Sequence, residues 1–289
     1  MFVFSNRFFW TYILSLLLFG SNGVVASHIS LTSYEIVLLR SMIASLFLLA
    51  LFTLKRGHWH VLQHRRDFLF LVLSGAATGA NWLFLYEAYR HIGVSLSTLL
   101  CYCGPVIIMI LSPILFRERL TVKKLFGFFV VVVGVILING QVAADSRSLW
   151  GLFCGLMSAV MYAVLVTCTR QCVHITGLEN VAVQMTASFV TVAIFVAAKG
   201  GLALQIPTGE MPWILLLGLI NTGVGCFLYL SSISRLPVQM VAICGYLEPL
   251  SAVVLSVLLL GEPMSPIRAL GAVMVLGGAM FGALQSESK

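Results

Sequence analysis

Residues 101–134 read CYCGPVIIMILSPILFRERLTVKKLFGFFVVVVG, and residues 245–278 read GYLEPLSAVVLSVLLLGEPMSPIRALGAVMVLGG. The two stretches stand 144 residues apart and align without a gap. Tyr102 meets Tyr246, Pro105 meets Pro249, Glu118 meets Glu262, Gly127 meets Gly271 and Gly134 meets Gly278. Extended to Val94–Ile138 against Val238–Gly282, 10 of 45 positions are identical, and most of the rest exchange one apolar residue for another. An internal repeat of this length sets the architecture before any local motif does. The repeated unit is apolar and long enough for several membrane crossings, which points to transport.

Composition bounds the class. Of 289 residues, 60% are hydrophobic and 9% are charged. Soluble domains carry about 25% charged residues, so this chain lacks the polar surface to cover a water-soluble core. The formal charge of +7 does not signal nucleic acid, because most Lys and Arg sit in short gaps between apolar runs. The seven cysteines lie in or beside apolar runs, without a CxxC or a zinc-like Cys–His spacing, and read as packing residues. No metal or other cofactor is expected.

A hydrocarbon core takes about 20 apolar residues per helix. Ten runs qualify: 8–26, 33–54, 68–89, 93–115, 122–140, 148–168, 180–198, 212–232, 237–260 and 266–284. The expected fold is all-α, a polytopic bundle of ten transmembrane helices. The first run is expected to remain as a helix rather than a cleaved signal, because the second half has its counterpart near Leu152–Arg170. Alternating the connections from an inside N-terminus places 12 Lys and Arg inside and 4 outside, which puts both termini in the cytoplasm. Glu35 meets Glu179 and Arg40 meets Gln184 at the same offset, so residues 1–144 and 145–289 are two halves of five helices each. Five is odd, so the second half enters from the opposite side. The halves then form an inverted repeat, an arrangement suited to alternating access.

Two segments, Gly104-Pro105-x12-Glu118-Arg119-Leu120 and Glu248-Pro249-x12-Glu262-Pro263-Met264, each pair a helix-breaking proline with a glutamate past the helix end. Each is followed by a Gly-spaced helix. With Gly20-Ser21-Asn22 in the first run and Arg40 in the second, the chain resembles the EamA-type transporters of the drug/metabolite transporter superfamily over nearly its whole length. The resemblance implies movement of small metabolites, amino acids or drugs, coupled to an ion gradient or to exchange. The chain departs from that pattern at Phe19, where the family often has Trp, and at Gly104, which faces Glu248 in the other half.

Ionisable groups inside a bilayer cost about 2.5–3.5 kcal/mol each on insertion scales, so Arg40, Glu87 and Glu248 need a reason. Glu248 precedes Pro249, which removes a backbone donor and disfavours helical geometry in the residue before it. A carboxyl at such a break suits proton exchange or a cationic solute, or is bonded to neighbouring helices. Glu87 either lines an outer vestibule or pairs with Arg90 at i,i+3. Arg40 either pairs with Glu87 or Glu35 or clamps a carboxylate. Trp82, Tyr86 and Tyr89 share a helical face beside Asn81, read as a cavity lining or as packing. Tyr102 and Tyr246 are expected to face each other across the pseudo-axis. Asn221 and Gln184, with Asn22, are buried polar candidates or interhelical glue. Glu118 and Glu262 read as charges that fix helix ends.

The expectation is therefore a secondary transporter, since no GxxxxGK[ST] motif for ATP occurs. It sits in a bacterial-type plasma membrane and takes a small solute and lipids as partners. A monomer suffices, and a homodimer is compatible. An intramembrane lipid enzyme is the alternative, as is a scaffold or receptor. Against the enzyme, Asp67 and Asp145 are the only aspartates.

Overall fold

The computed structural model describes residues 7–55, 57, 59–61, 63–104, 107–108, 111, 122–139, 146–199, 206–207, 209–233, 236 and 244–284. Pro105 and Glu118 lie outside these residues. Among the described residues all regular structure is helical. In chain order the helices are α1 (Arg7–Gly20), α2 (Asn22–Ser27), α3 (Ser33–Leu54), α4 (Arg65–Ile92), α5 (Val94–Cys101) and α6 (Val122–Asn139). They continue with α7 (Ser146–Arg170), α8 (Gly177–Ala198) and α9 (Met211–Leu215). A π-helical segment (Leu216–Val224) leads into α10 (Gly225–Ile233), followed by α11 (Leu247–Leu260) and α12 (Pro266–Leu284). Six helical stretches among the described residues are long and apolar enough to cross a membrane. Large apolar side chains such as Leu46, Leu69, Phe129 and Ile194 face outward, as a lipid-facing surface requires.

The apolar runs become helices because hydrocarbon offers no partner for backbone N–H and C=O groups. Their ends are fixed by side chains. Thr32 and Glu35 form a capping box at the start of α3. Gly261, at φ 66°, ends α11 in a left-handed turn that a side chain would strain.

Hydrogen bonds between helix ends sort the connections onto two faces. On one face, Glu210 accepts from the Ser30 backbone N–H at 2.9 Å. Glu87 accepts from Ser33 and from the Trp150 indole and pairs with His91. Glu262 accepts from the backbone N–H groups of Val94 and Ser95 at 2.5 and 2.9 Å. On the other face, Glu179 accepts from the backbone of His60 and Val61 at 2.6 and 3.0 Å. Asp67 accepts from the backbone of Val173 and His174 at 3.0 and 2.8 Å, with His64 stacked on His174. Asp67 and Glu87 are 20 residues apart on α4, about 30 Å along a helix axis. That span matches a hydrocarbon core.

α4 lies against α7 and α8, α3 against α8 and the π segment, α1 against α10 and α11, and α6 against α12. Glycine permits the closest of these approaches. A Cβ on Gly134 would meet the Gly271 carbonyl at 2.8 Å, and one on Gly278 would meet the Gly127 carbonyl at 2.9 Å. Moving up α6 from 127 to 134 moves down α12 from 278 to 271, so the two helices are antiparallel. Each pair becomes the other under the 144-residue offset, which is the reciprocity of a two-fold contact. Gly134→Val places a side chain against backbone that cannot yield. It should destabilise the detergent-solubilised protein by about 1–3 kcal/mol, read as a lowered thermal midpoint. An unchanged midpoint would mean that α6 and α12 do not meet at these glycines.

Candidate functional site

Three helix interruptions converge. The first run is broken at Ser21, between α1 and α2. A Cβ on Gly20, just before that break, would meet Ser251 and the Glu248 carbonyl, so the start of α11 sits directly against it. The third interruption is the π segment, whose wider turn places Asn221 and Thr222 side by side facing different helices. Asn221 donates to the Leu18 carbonyl at 3.0 Å and to the Ser21 hydroxyl at 2.9 Å, which ties the π segment to the break in the first run. α5 also stops at Cys101, leaving Tyr102 in a turn.

Sequence reading expects Glu248 and Pro249 near the middle of a helix spanning 237–260. Among the described residues of that run Cys244 and Gly245 are helical, the path turns at Tyr246, and a helix resumes at Leu247 with Pro249 in its first turn. There the missing N–H has no intrahelical partner to lose, and the helix dipole favours a carboxylate. Glu248 is enveloped by protein yet keeps part of its accessible surface, as a group lining an internal chamber does. The Tyr102 phenol lies beside its carboxylate. Its charge also acts on the phenols of Tyr12, Tyr162 and Tyr229. Tyr102 and Tyr162 have ring centroids 6.4 Å apart, Tyr12 and Tyr229 5.6 Å, and Phe19 and Tyr229 6.0 Å. Two tyrosine pairs from separate parts of the bundle, Tyr102 with Tyr162 and Tyr12 with Tyr229, thus lie in the neighbourhood of one carboxylate.

Arg40 lies at the edge of this group and is 3% exposed. It pairs with neither Glu87 nor Glu35. Its Nε and Nη2 donate to the Thr222 hydroxyl at 3.2 and 2.9 Å, and Nη1 donates to the Tyr86 hydroxyl. The guanidinium stacks over Trp82 at 4.2 Å and Tyr86 at 5.1 Å. Thr222 in turn donates to the Leu217 carbonyl at 2.7 Å, a five-residue step that belongs to the π geometry. The shared face of Trp82 and Tyr86 therefore holds a protein cation, and Arg40 fastens α4 to the π segment.

The other candidates lie elsewhere. Glu87 bonds His91 at i,i+4, with Ser33 and Trp150, instead of Arg90. Asn81 donates to the Ser158 carbonyl at 2.7 Å and joins α4 to α7. Gln184 accepts from Ser74 at 3.0 Å and bonds Asn180. Tyr246 packs with Leu96, Leu99 and Val253, whereas Tyr102 is paired with Tyr162. Glu262 holds the N-terminus of α5, a helix of the other half, so its anchoring reaches beyond its own helix end. It also borders a cavity of about 340 Å³ with His91, Ser148 and Arg268. Tyr12, Tyr162 and Tyr229 escape sequence reading because none belongs to a motif. Their signal is subtler: 144 residues away each faces a leucine, Leu156, Leu18 and Leu85.

The pattern of the EamA-like transporter family matches residues 8–140 and again residues 149–283. The chain belongs to that family. Among its relatives is the uncharacterised transporter YxxF of Bacillus subtilis, 25% identical over 284 residues, covering 96% of this chain and 89% of that protein. The uncharacterised transporter YetK of the same organism is 30% identical over 265 residues, covering 86% and 78%. A probable terminal-alkyne amino-acid exporter of Streptantibioticus cattleyicolor is 26% identical over 220 residues, covering 75% and 73%. A solved crystal structure shares the fold at a TM-score of 0.69 and 17% identity, covering 97% of this chain and 98% of that one. This EamA-family protein is therefore an integral membrane protein of the transporter class.

Thr222→Val keeps the side-chain volume but removes the acceptor for two Arg40 nitrogens. Leaving a buried charge under-paired costs about 3–5 kcal/mol. The expected outcome is a strongly lowered thermal midpoint for Thr222→Val and a midpoint near the parent for Thr222→Ser. Equal midpoints for all three proteins would contradict the structural role of Arg40.

Proposed function

We propose that this EamA-family protein is a secondary transporter that moves a small metabolite-, amino-acid- or drug-like solute by alternating access, with Glu248 as the binding and coupling group. One observation carries the reading. Among the described carboxylates, Glu35, Asp67, Glu87, Glu179, Glu210 and Glu262 are engaged in capping and in joining helix ends at the two faces. Glu248 alone sits amid helix breaks inside the bundle. Discontinuous helices at mid-depth are where transporters place solute and coupling-ion sites. A carboxylate there serves coupling to a proton gradient, or serves solute exchange.

The transport cycle rests on ten crossings in two inverted halves, 1–144 and 145–289. Several features support this. The family pattern matches twice in succession. The α6–α12 glycine contacts are reciprocal and antiparallel. The repeat mates Glu35 and Glu179 lie at opposite faces: Glu35 with Thr32 beside Glu87, and Glu179 with His60 beside Asp67. The excess of Lys and Arg assigns the Asp67 face and both termini to the cytoplasm, in a bacterial-type plasma membrane. With two halves in one chain, a monomer suffices. The exporter named above is consistent with a small solute.

The test is counterflow in proteoliposomes, using a solute found by thermal-shift screening of amino acids, polyamines, quaternary amines, nucleosides and vitamins. Glu248→Gln keeps the shape and removes the charge. It should cut solute affinity at least about 30-fold and abolish the response to an imposed pH gradient if protons are the coupling ion. Parental affinity and transport in this variant would overturn the assignment.

A further inference from the structure

The chemistry around Glu248 narrows the solute class. Among the described residues the cation acting on Glu248 is Arg40, and its nitrogens and faces are already engaged. Thr222 and Tyr86 take its nitrogens, Trp82 and Tyr86 cover its faces, and 3% of the residue is exposed. A carboxylate, phosphate or sulfonate entering the chamber would meet Glu248 without a compensating positive group among the described residues. A ligand carrying hydrogen-bond donors meets a different surface. The Glu248 carboxylate accepts. The rings with accessible surface beside it are Tyr102, Tyr162 and Tyr229, with Phe19 against Tyr229. Aromatic faces attract cations through their quadrupoles and offer apolar area to an organic body.

We infer that the chamber at Glu248 takes an organic monocation: an amine whose ammonium sits against the carboxylate and whose apolar body lies among the tyrosines. The inference rests on the reading of Glu248 as the transport site and adds the sign of the solute's charge. A zwitterion brings a carboxylate that the fastened Arg40 does not receive. The asymmetry of the repeat follows the same logic. Gly104 stands where Glu248 stands in the other half, and its Cα lies close to the Tyr162 ring. One half thus supplies the charge, and the glycine lets a ring approach opposite it.

Three probes decide the matter, because they share a phenyl group and differ in their charged heads: phenethylamine, phenylalanine and 3-phenylpropionate. Binding of each to the purified full chain is measured by calorimetry, for the parent, Glu248→Gln and Tyr229→Leu. Phenethylamine should bind most tightly. Glu248→Gln should weaken it about 30-fold or more, and Tyr229→Leu about 3- to 30-fold. If Glu248→Gln fails to fold, Tyr229→Leu and the ranking of the three probes carry the test. Tighter binding of phenylalanine or phenylpropionate overturns the cation assignment. If that binding is still lost in Glu248→Gln, the transport-site reading survives. Phenethylamine binding that neither variant changes overturns both. Failure of phenethylamine to bind at millimolar concentration overturns the cation assignment, and counterflow of another solute through the parent but not Glu248→Gln then preserves the transport-site reading.

Discussion

A carboxylate inside a membrane-spanning bundle must be solvated by protein, and the rest of this structure is arranged around that requirement at Glu248. An unbroken helix presents no free dipole within the bundle, and the chain interrupts its helices beside Glu248. α11 starts at the carboxylate, the first run turns at Ser21, and the eighth predicted run widens into a π segment. Each interruption frees backbone groups that hydrocarbon cannot satisfy. Side chains repair the deficit: Asn221 covers the Leu18 carbonyl, and Thr222 covers that of Leu217. Arg40 then holds the repaired π segment against α4. The broken layer is stable because its polar groups answer one another, and Glu248 is left facing the chamber.

The two ends of the bundle follow a different principle. Each face is closed by carboxylates that accept backbone N–H groups from distant connections, and such charge-assisted bonds are worth about 1.5–3 kcal/mol each. On the Asp67 face the partners include His60 and His174. On the opposite face Glu262 reaches from one half to the first turn of α5 in the other. These closures are polar and built from few bonds, and in the proposed cycle they part and re-form while the glycine-packed helix pairs stay together. In the proposed cycle the faces are the gates, and the broken layer is the fulcrum between them.

Much of this was legible in the sequence. Apolar run lengths anticipated α3 and α12 to the residue, because hydrocarbon thickness and helix rise fix them together. The repeat marked Gly127, Gly134, Gly271 and Gly278 as corresponding positions, and the structure adds that they meet each other across α6 and α12. The roles of individual polar residues were less legible. Arg40 lies five residues from Glu35 on the same helix, but its actual partner, Thr222, is 182 residues away and in place only because of a π turn that periodicity does not announce. The tyrosines of the chamber were missed because they look like ordinary apolar-run residues. Their mark is that they break the repeat, each opposite a leucine. Where the halves agree, the residues hold the scaffold. Where they differ, at Glu248 against Gly104 and at these tyrosines, the chamber acquires its chemistry.

Alternating access of the two faces about the Glu248 layer is tested most directly by paired distances in one preparation. Spin labels at Trp59 and Val173 report the Asp67 face, and labels at His28 and Ser148 report the opposite face. Pulsed dipolar spectroscopy in liposomes, with and without phenethylamine or a solute found by screening, should show the two distances changing in opposite senses. Glu248→Gln should suppress the change. Distances that stay fixed, or that lengthen together, would contradict the account.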